Sequence, residues 1–140
     1  GQNCSPLIQF IAFGMYNNKI KNATSRADWL LYNEEERDKY LNDPHIPAQI
    51  TASLMYELLS GMINCVSKKA KTASLAPVYI LSGSDAVSEY GKNIKTTVNL
   101  MTKQGFNIKD IVIFNNMRHD ILHEKDNIKV LDYIYEAITH

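Results

Sequence analysis

The fold is decided by a stretch of sequence that begins PVYILSGSD at residues 77–85 and reaches IVIF at residues 111–114. Both apolar runs are short, rich in strand-favouring residues and bounded by turn-forming residues, so each predicts a buried strand. Between them, residues 88–103 predict a helix, and Gly105 follows as a left-handed helix cap. The stretch therefore predicts a strand, helix, strand unit with parallel strands and a right-handed crossover.

Helices are predicted on both sides of this unit. The spacing of apolar residues predicts three of them, over residues 5–16, 50–66 and 126–140. A fourth, shorter helix is expected to begin at a capping box made by Asn33 and Glu36. It should end before Pro44, because the residue before a proline is pushed out of the helical region. The fold class indicated is α/β.

Composition restricts the classes of function. The 140 residues are 45% apolar and carry fifteen basic and fifteen acidic side chains, which predicts one globular protein without the basic charge that nucleic-acid binding needs. Cys4 and Cys65 are too few for a disulfide framework or a Cys-rich zinc site. No apolar run approaches the roughly 18 residues of a membrane span, so we expect a soluble, cytoplasmic protein. The chain begins at Gly1 without Met, and we expect it to be a processed or cut piece of a longer protein.

Two chemically active side chains follow the predicted strands. Asp85 comes four residues after Leu81, and His119 comes five residues after Phe114. Because the carboxyl ends of adjacent parallel strands meet at one edge of a sheet, we expect the carboxylate and the imidazole to be neighbours there. An aspartate beside a histidine fixes the tautomer of the ring and stabilises its protonated form, which a general base requires. Asp85 and His119 are therefore the candidate catalytic pair.

These segments resemble the last two strands of α/β-hydrolases of the lysophospholipase and monoacylglycerol lipase type. The family carries a Gly-x-x-Asp-Pro-Val acid loop and an Arg-His-Glu-x-Leu histidine loop, and this sequence reads GSDAV at residues 83–87 and RHDIL at residues 118–122. The departures, Ala86 for Pro and Asp120 for Glu, fall at positions that perform no chemistry. The segment from residue 23 to residue 43 is similar to the family's cap.

The resemblance implies a partial α/β-hydrolase fold, with residues 1–47 as cap helices and residues 48–140 as the C-terminal part of the core. It implies that Asp85 is the triad acid and His119 the triad base of a serine hydrolase acting on lipid-like carboxylic esters without a cofactor. No Gly-x-Ser-x-Gly turn for the nucleophile occurs in the sequence. We therefore expect this chain alone to be inactive. The alternative is a truncated or degenerate relative that binds a partner or self-associates through an exposed sheet edge.

Other interpretations of the same residues remain open. Trp29 and Leu30, with Leu31 and Tyr32, are expected to form an apolar lining for an acyl chain together with Met55 on the long helix, or simply to pack in the core. Asp85 alone is equally compatible with an ordinary turn. His119 and His123 have the spacing of two zinc ligands on a helix, although no third ligand follows and we predict no metal site. Arg118 is expected to be solvated or to form a salt bridge that orients the histidine loop.

Overall fold

The computed structural model describes residues 6–10, 14–46, 50–67, 76–87 and 92–139. These residues form six helices and two strands, in the order α1 (Pro6–Gln9), α2 (Met15–Asn17), α3 (Glu34–Asn42), α4 (Ala52–Ser67), β1 (Pro77–Gly83), α5 (Lys92–Lys103), β2 (Asn107–Phe114) and α6 (Ile128–Thr139). The predicted helix over residues 5–16 corresponds to α1 and α2, and part of that prediction lies outside the described residues. None of the helices in the described ranges has the length and apolarity needed to cross a bilayer.

The two strands are adjacent and parallel, which confirms the strand, helix, strand prediction. β1 pairs with β2 from the Pro77–Asn107 partners to the Gly83–Phe114 partners. A register shift after Val78 leaves one extra residue on β2, which is the signature of a β-bulge. The crossover helix α5 is followed by Gly105 at φ 89°, the left-handed conformation expected of a helix cap. Both strands therefore end at the same edge.

The expectation that both strands are buried is wrong. In β1 only Gly83 is buried, and residues 78–82 are half-buried. The side chains of β2 are more exposed still. Ile111 and Ile113 are each 42% exposed, and side chains alternate in exposure along the strand. Periodicity identifies an apolar strand, but burial also requires a neighbouring element on that face. In the described part of the chain the sheet has two strands, so the apolar side chains of β2 are only partly covered.

The short helix α3 has the predicted bounds, but its predicted capping box is absent. Asn33 stands at the N-cap without a side-chain bond to the helix, and Asp43 ends the helix in an extended conformation before Pro44. The Asn33 side chain instead donates to the carbonyl oxygen of His123 at 3.1 Å, and Glu36 pairs with Lys39. A long-range partner has replaced the local cap.

Buried apolar residues lie close to the strand ends, whereas other apolar faces are open. Ala27, Leu30 and Leu31 form a buried cluster against which Trp29 packs with residues of α3. The apolar periodicity correctly predicted helices α4 and α6, but many of the apolar residues on their predicted buried faces are exposed. We use the term exposed apolar faces for the following residues of α4, β2 and α6: Leu54, Leu58, Leu59, Met62, Ile63, Ile111, Ile113, Ile128, Leu131 and Ile138.

Candidate active site at the strand ends

The loops that follow β1 and β2 are joined through their backbones. The N–H of Ser84 donates to the carbonyl oxygen of Phe114, and the N–H of Asp85 donates to that of Met117, both at 2.9 Å. The Ser84 hydroxyl accepts from the N–H of Asn116 at 3.0 Å. Residues 83–87 and 114–124, together with the segment 24–33 that packs on them, are called the rim below. The rim therefore holds the acid loop and the histidine loop in fixed register.

Gly83 makes this close approach possible. A Cβ at Gly83 would lie against the carbonyl oxygens of Met117 and Arg118, closer than side chains approach backbone in folded proteins. The obstacle is backbone and not a flexible side chain, so a larger residue would force the two loops apart. Glycine at the end of β1 is thus a condition for the close approach of the loop that carries Asp85 to the loop that carries His119.

Asp85 is half-buried, and both of its carboxylate oxygens are engaged. One oxygen accepts a hydrogen bond from the hydroxyl of Tyr32 at 2.8 Å, and the other accepts from the hydroxyl of Ser84 at 2.8 Å. Burial raises the pKa of Tyr32 above its ordinary value, the bond to Asp85 raises it further, and Arg118 partly opposes the rise. The prediction that Tyr32 is part of an apolar lining therefore misses its hydroxyl, which turns to the candidate acid.

His119 is exposed at the rim and lies against Trp29. The two ring centroids are 5.1 Å apart, and Trp29 in turn stacks on Tyr16 at 5.2 Å. The structure thus brings together the candidate base and one of the residues predicted to line the substrate site. Within the described residues no hydrogen bond joins the Asp85 carboxylate to the His119 ring, so that pairing stays a prediction.

The other predicted lining residues have different surroundings. Leu30 is buried in the cluster with Ala27 and Leu31, and its carbonyl oxygen accepts from the N–H of Asp120 at 2.8 Å. Met55 is half-buried on α4. Leu30 is therefore tied to the histidine loop by a backbone hydrogen bond, and a role of Leu30 or Met55 in substrate binding stays a prediction.

Glu124, which the sequence analysis did not single out, connects the segment 24–33 to the histidine loop. Glu124 is 3% exposed, and its carboxylate accepts hydrogen bonds of 2.9–3.2 Å from three backbone N–H groups: that of Tyr32, which is shared between both oxygens, and those of Asn33 and Arg118. A carboxylate that accepts this many N–H bonds can be buried without an ionic partner. No local sequence signal marks Glu124, because its donors lie up to 92 residues away.

Asp28 is the second buried carboxylate of the rim. It accepts from the N–H groups of Thr24 at 2.6 Å and Ser25 at 3.1 Å, and from the Ser25 hydroxyl, and it lies 3.4 Å from the guanidinium of Arg37. Burial pushes the pKa of Asp28 up and is the largest single influence, but these hydrogen bonds and the Arg37 charge together hold it below the ordinary value. The Thr-Ser-x-x-Asp spacing was the available sequence signal for this turn.

Arg118, the residue directly before the candidate base, links the histidine loop to the segment 24–33. Its guanidinium donates to the carbonyl oxygen of Asp28 and lies 3.9 Å from the ring centroid of Tyr32. The expectation that Arg118 is solvated or forms a salt bridge is therefore replaced by a carbonyl bond and a cation–π contact. Arg118 does orient the loop that carries His119.

The zinc interpretation of His119 and His123 requires both histidines on one helix, and these residues are not helical. Residues 119–123 form bends and turns, and the His123 ring hydrogen-bonds to the Asp120 carboxylate at 2.9 Å while His119 lies on Trp29. The bond to Asp120, helped by its charge and that of Glu36 and opposed by burial, raises the pKa of His123. Among the residues described, no three potential His, Cys, Asp or Glu ligands cluster as a metal site.

The sequence matches one protein-family model, described as serine aminopeptidase, S33, over residues 3–126. A search of curated proteins gave no match. Three solved structures have a similar fold. A thermostable carboxyl esterase from Bacillus coagulans in complex with glycerol matches with a TM-score of 0.74 and 17% identity, over 99% of this chain and 45% of the esterase. A lipase in an open form matches with a TM-score of 0.78 and 13% identity (95% of this chain, 44% of the lipase), and a monoacylglycerol lipase from Paleococcus ferrophilus with a TM-score of 0.63 and 16% identity (96% of this chain, 52% of the lipase). The chain thus spans about half the length of these proteins.

Proposed function

Because the chain belongs to the serine aminopeptidase S33 family, whose members are α/β-hydrolases, we propose that Asp85 and His119 are the acid and base of a serine hydrolase triad. The observation that carries the proposal is the pair of backbone hydrogen bonds that fixes the loop of Asp85 against the loop of His119 at one edge of a parallel strand pair. Open α/β sheets place their sites at this edge.

The proposed chemistry is a proton relay. The imidazole of His119 takes the proton of a serine hydroxyl as that oxygen attacks the ester carbonyl, and then gives the proton to the departing alcohol. Asp85 accepts the N–H of the other ring nitrogen, which keeps the proton-accepting nitrogen of His119 unprotonated until the serine oxygen attacks. Only protons and the acyl group move, so the relay calls for no cofactor.

The nucleophile in this proposal comes from polypeptide outside these 140 residues, since no Gly-x-Ser-x-Gly turn occurs among them. The exposed apolar faces support a missing neighbour. On α4, Leu58 and Ile63 are 51% and 63% exposed although they lie on a regular apolar stripe, and open apolar surface of this kind favours a covering partner. We therefore propose that the chain alone does not hydrolyse esters.

The proposed substrate is a carboxylic ester with an apolar acyl group. Two features support this class: the three similar structures are an esterase and two lipases, and the Trp29 ring presents an apolar surface directly beside His119. An apolar wall at the reacting centre is what a long acyl chain requires.

A second candidate function is a binding or dimerisation module. The exposed apolar faces and the two-stranded sheet of the described region favour it, because an unpaired strand edge and open apolar surface both promote association. In that case Asp85 and His119 would be turn residues without a nucleophile to serve. The two candidates make opposite predictions for a longer product of the same gene.

The test is labelling with a fluorophosphonate that reacts with active serines, together with hydrolysis of a medium-chain acyl ester. We expect no labelling of this chain and strong labelling of the longer product. In the longer product, Asp85→Asn and His119→Ala should each lower kcat by about 10³-fold or more, as losses of triad members do. His45→Ala, on an exposed loop histidine, is the matched control and should retain full activity.

Two outcomes would contradict the proposal. Labelling of the 140-residue chain itself would show a nucleophile that the proposal denies. A longer product without a Gly-x-Ser-x-Gly turn, combined with a dimeric 140-residue chain in light scattering, would establish the binding module instead.

A further inference from the structure

We propose that Tyr32 is a positioning residue whose hydroxyl holds the Asp85 carboxylate in the orientation that the relay requires. The inference rests on the proposed function, and it adds a residue from the segment 24–33 that the triad alone does not contain. Three contacts to three different parts of Tyr32 carry it.

The first two contacts fix the backbone and the ring of Tyr32. Its N–H donates to both carboxylate oxygens of the buried Glu124, at 2.9 and 3.0 Å. Its ring lies 3.9 Å from the guanidinium carbon of Arg118, the residue directly before His119. A tyrosine that is held at its backbone and at its ring face has little freedom left at its hydroxyl.

The third contact is the hydrogen bond of 2.8 Å from the Tyr32 hydroxyl to Asp85. An aspartate carboxylate rotates over a broad range about its last torsion, and two fixed donors on its two oxygens select one orientation. Tyr32 and Ser84 are those donors. Each oxygen keeps a second lone-pair site, so the carboxylate remains able to accept the N–H of an imidazole.

Tyr32 therefore contacts both loops of the candidate pair at once. Its hydroxyl reaches the loop after β1 and its ring reaches the loop after β2. The backbone bonds of the rim fix the loop of Asp85 against the loop of His119, and Tyr32 together with Ser84 sets the direction of the Asp85 carboxylate.

The chain supplies an internal control for the hydrogen bond. Tyr133 on α6 donates to Asp110 on β2 at 2.6 Å, and this bond raises the pKa of Tyr133 to about 12. Both partners lie outside the rim, so the two tyrosine–aspartate pairs have the same chemistry but different locations.

The contact is tested on the 140-residue chain by ¹³C labelling of the tyrosine rings and titration of each Cζ resonance, with circular dichroism at each pH to confirm folding. Asp85→Asn should move the Tyr32 midpoint down towards the ordinary value near 10 and leave Tyr133 in place. Asp110→Asn should do the reverse. If the titration midpoint of the Tyr32 hydroxyl is the same in the wild type and in Asp85→Asn, the inference is overturned.

The positioning role is tested in the longer, active product with Tyr32→Phe, which keeps the ring over Arg118 and removes the hydroxyl. We expect kcat to fall about tenfold with KM unchanged, the order of effect of a lost hydrogen bond to a charged group. Tyr133→Phe removes the equivalent bond away from the rim and should leave kcat within about twofold of the wild type.

The two proposals fail in different ways. If Asp85→Asn abolishes activity while Tyr32→Phe retains it, the inference about Tyr32 is wrong and the triad stands. If Asp85→Asn itself retains full activity, the triad is wrong and the role of Tyr32 fails with it.

Discussion

The rim and the exposed apolar faces differ in whether their side chains have the partners they need. At the rim, Asp28 and Glu124 are 4% and 3% exposed, yet both carboxylates accept backbone N–H bonds from within the chain. On α4 the side chains of Leu58 and Ile63 are 51% and 63% exposed, although they belong to a regular apolar stripe. The chain thus supplies hydrogen-bond donors for these two buried carboxylates by itself but leaves much of its apolar surface open.

The difference indicates what each region is built to do. A buried carboxylate without its donors costs several kcal/mol, so the rim has to be complete wherever this chain folds. An exposed leucine costs far less and is tolerated until a neighbouring element covers it. Under the proposal that the nucleophile comes from polypeptide outside these 140 residues, the open faces offer that polypeptide a surface on which to pack.

The largest expected effect comes from truncating the same residue type in both regions. Leu31, which is 2% exposed in the rim cluster, should lose about 2–5 kcal/mol of unfolding free energy on substitution to Ala. Leu58→Ala on α4 should change it by less than about 0.5 kcal/mol. Urea denaturation followed by the fluorescence of Trp29, the one tryptophan of the chain, measures both.

Equal losses for the two leucine variants would contradict the comparison, because they would mean that the α4 face is covered in the isolated chain. A self-associated chain would produce that result. Repeating the Leu58→Ala measurement at a tenfold lower protein concentration separates the two cases, since a face covered by a second copy opens on dilution.

Local signals were sufficient for the secondary structure and its connections. Apolar runs at residues 77–81 and 111–114 predicted β1 and β2, Gly105 predicted the end of the crossover, and Pro44 predicted the end of α3. Each of these depends on the conformational preference of a few neighbouring residues. The parallel pairing followed from the helix that connects the two strands.

The side-chain arrangement of the rim needed information that the sequence pattern does not contain. Asn33 has the right type and spacing for a capping box, but its partner is the carbonyl oxygen of His123, ninety residues away. Tyr32 was predicted to be an apolar lining residue, because the sequence pattern does not indicate that its hydroxyl donates to Asp85. Likewise, an apolar stripe on α4 indicates which face should be covered, and not whether another element covers it.

Substitution of one glycine at the rim and one on α4 tests the same contrast between the two regions, with an expected change in unfolding free energy of intermediate size. Gly83→Ala would place a methyl group against backbone carbonyl oxygens at the rim, and should cost about 1–3 kcal/mol. Gly61→Ala on α4 meets no atom within 4 Å and improves helix propensity, so it should stabilise the chain by up to about 1 kcal/mol. Thermal or urea unfolding of the two variants measures effects of opposite sign.

A destabilising Gly61→Ala would show that something packs on α4 at that position. A neutral Gly83→Ala would show that the two loops can separate at no cost. The second result would also weaken the proposed pairing of Asp85 with His119, because that pairing depends on their close approach.

The smallest expected effect tests whether the solvent-exposed ion pair of His123 and Asp120 adds to the stability of the rim. The hydrogen bond to Asp120 raises the pKa of His123 above its ordinary value, so the protonated ring stabilises the folded chain. This contribution is fully present below the unfolded pKa near 6.5 and is lost as the pH rises through the higher folded pKa. Because the ring is more than half exposed, His123→Gln should cost less than about 1 kcal/mol at pH 5.5 and nothing at pH 8.5.

Asp120→Asn provides the matched control for this pH dependence. In an Asp120→Asn background, the effect of His123→Gln should differ much less between the two pH values, since the main partner of the charged ring is gone and only the weaker influence of the Glu36 charge remains. A loss of several kcal/mol at pH 5.5, or one that persists at pH 8.5, would mean that His123 stabilises the rim through packing and not through its ion pair. The stability of the rim would then not rest mainly on the buried carboxylates of Asp28 and Glu124, and its contrast with α4 would need a different explanation.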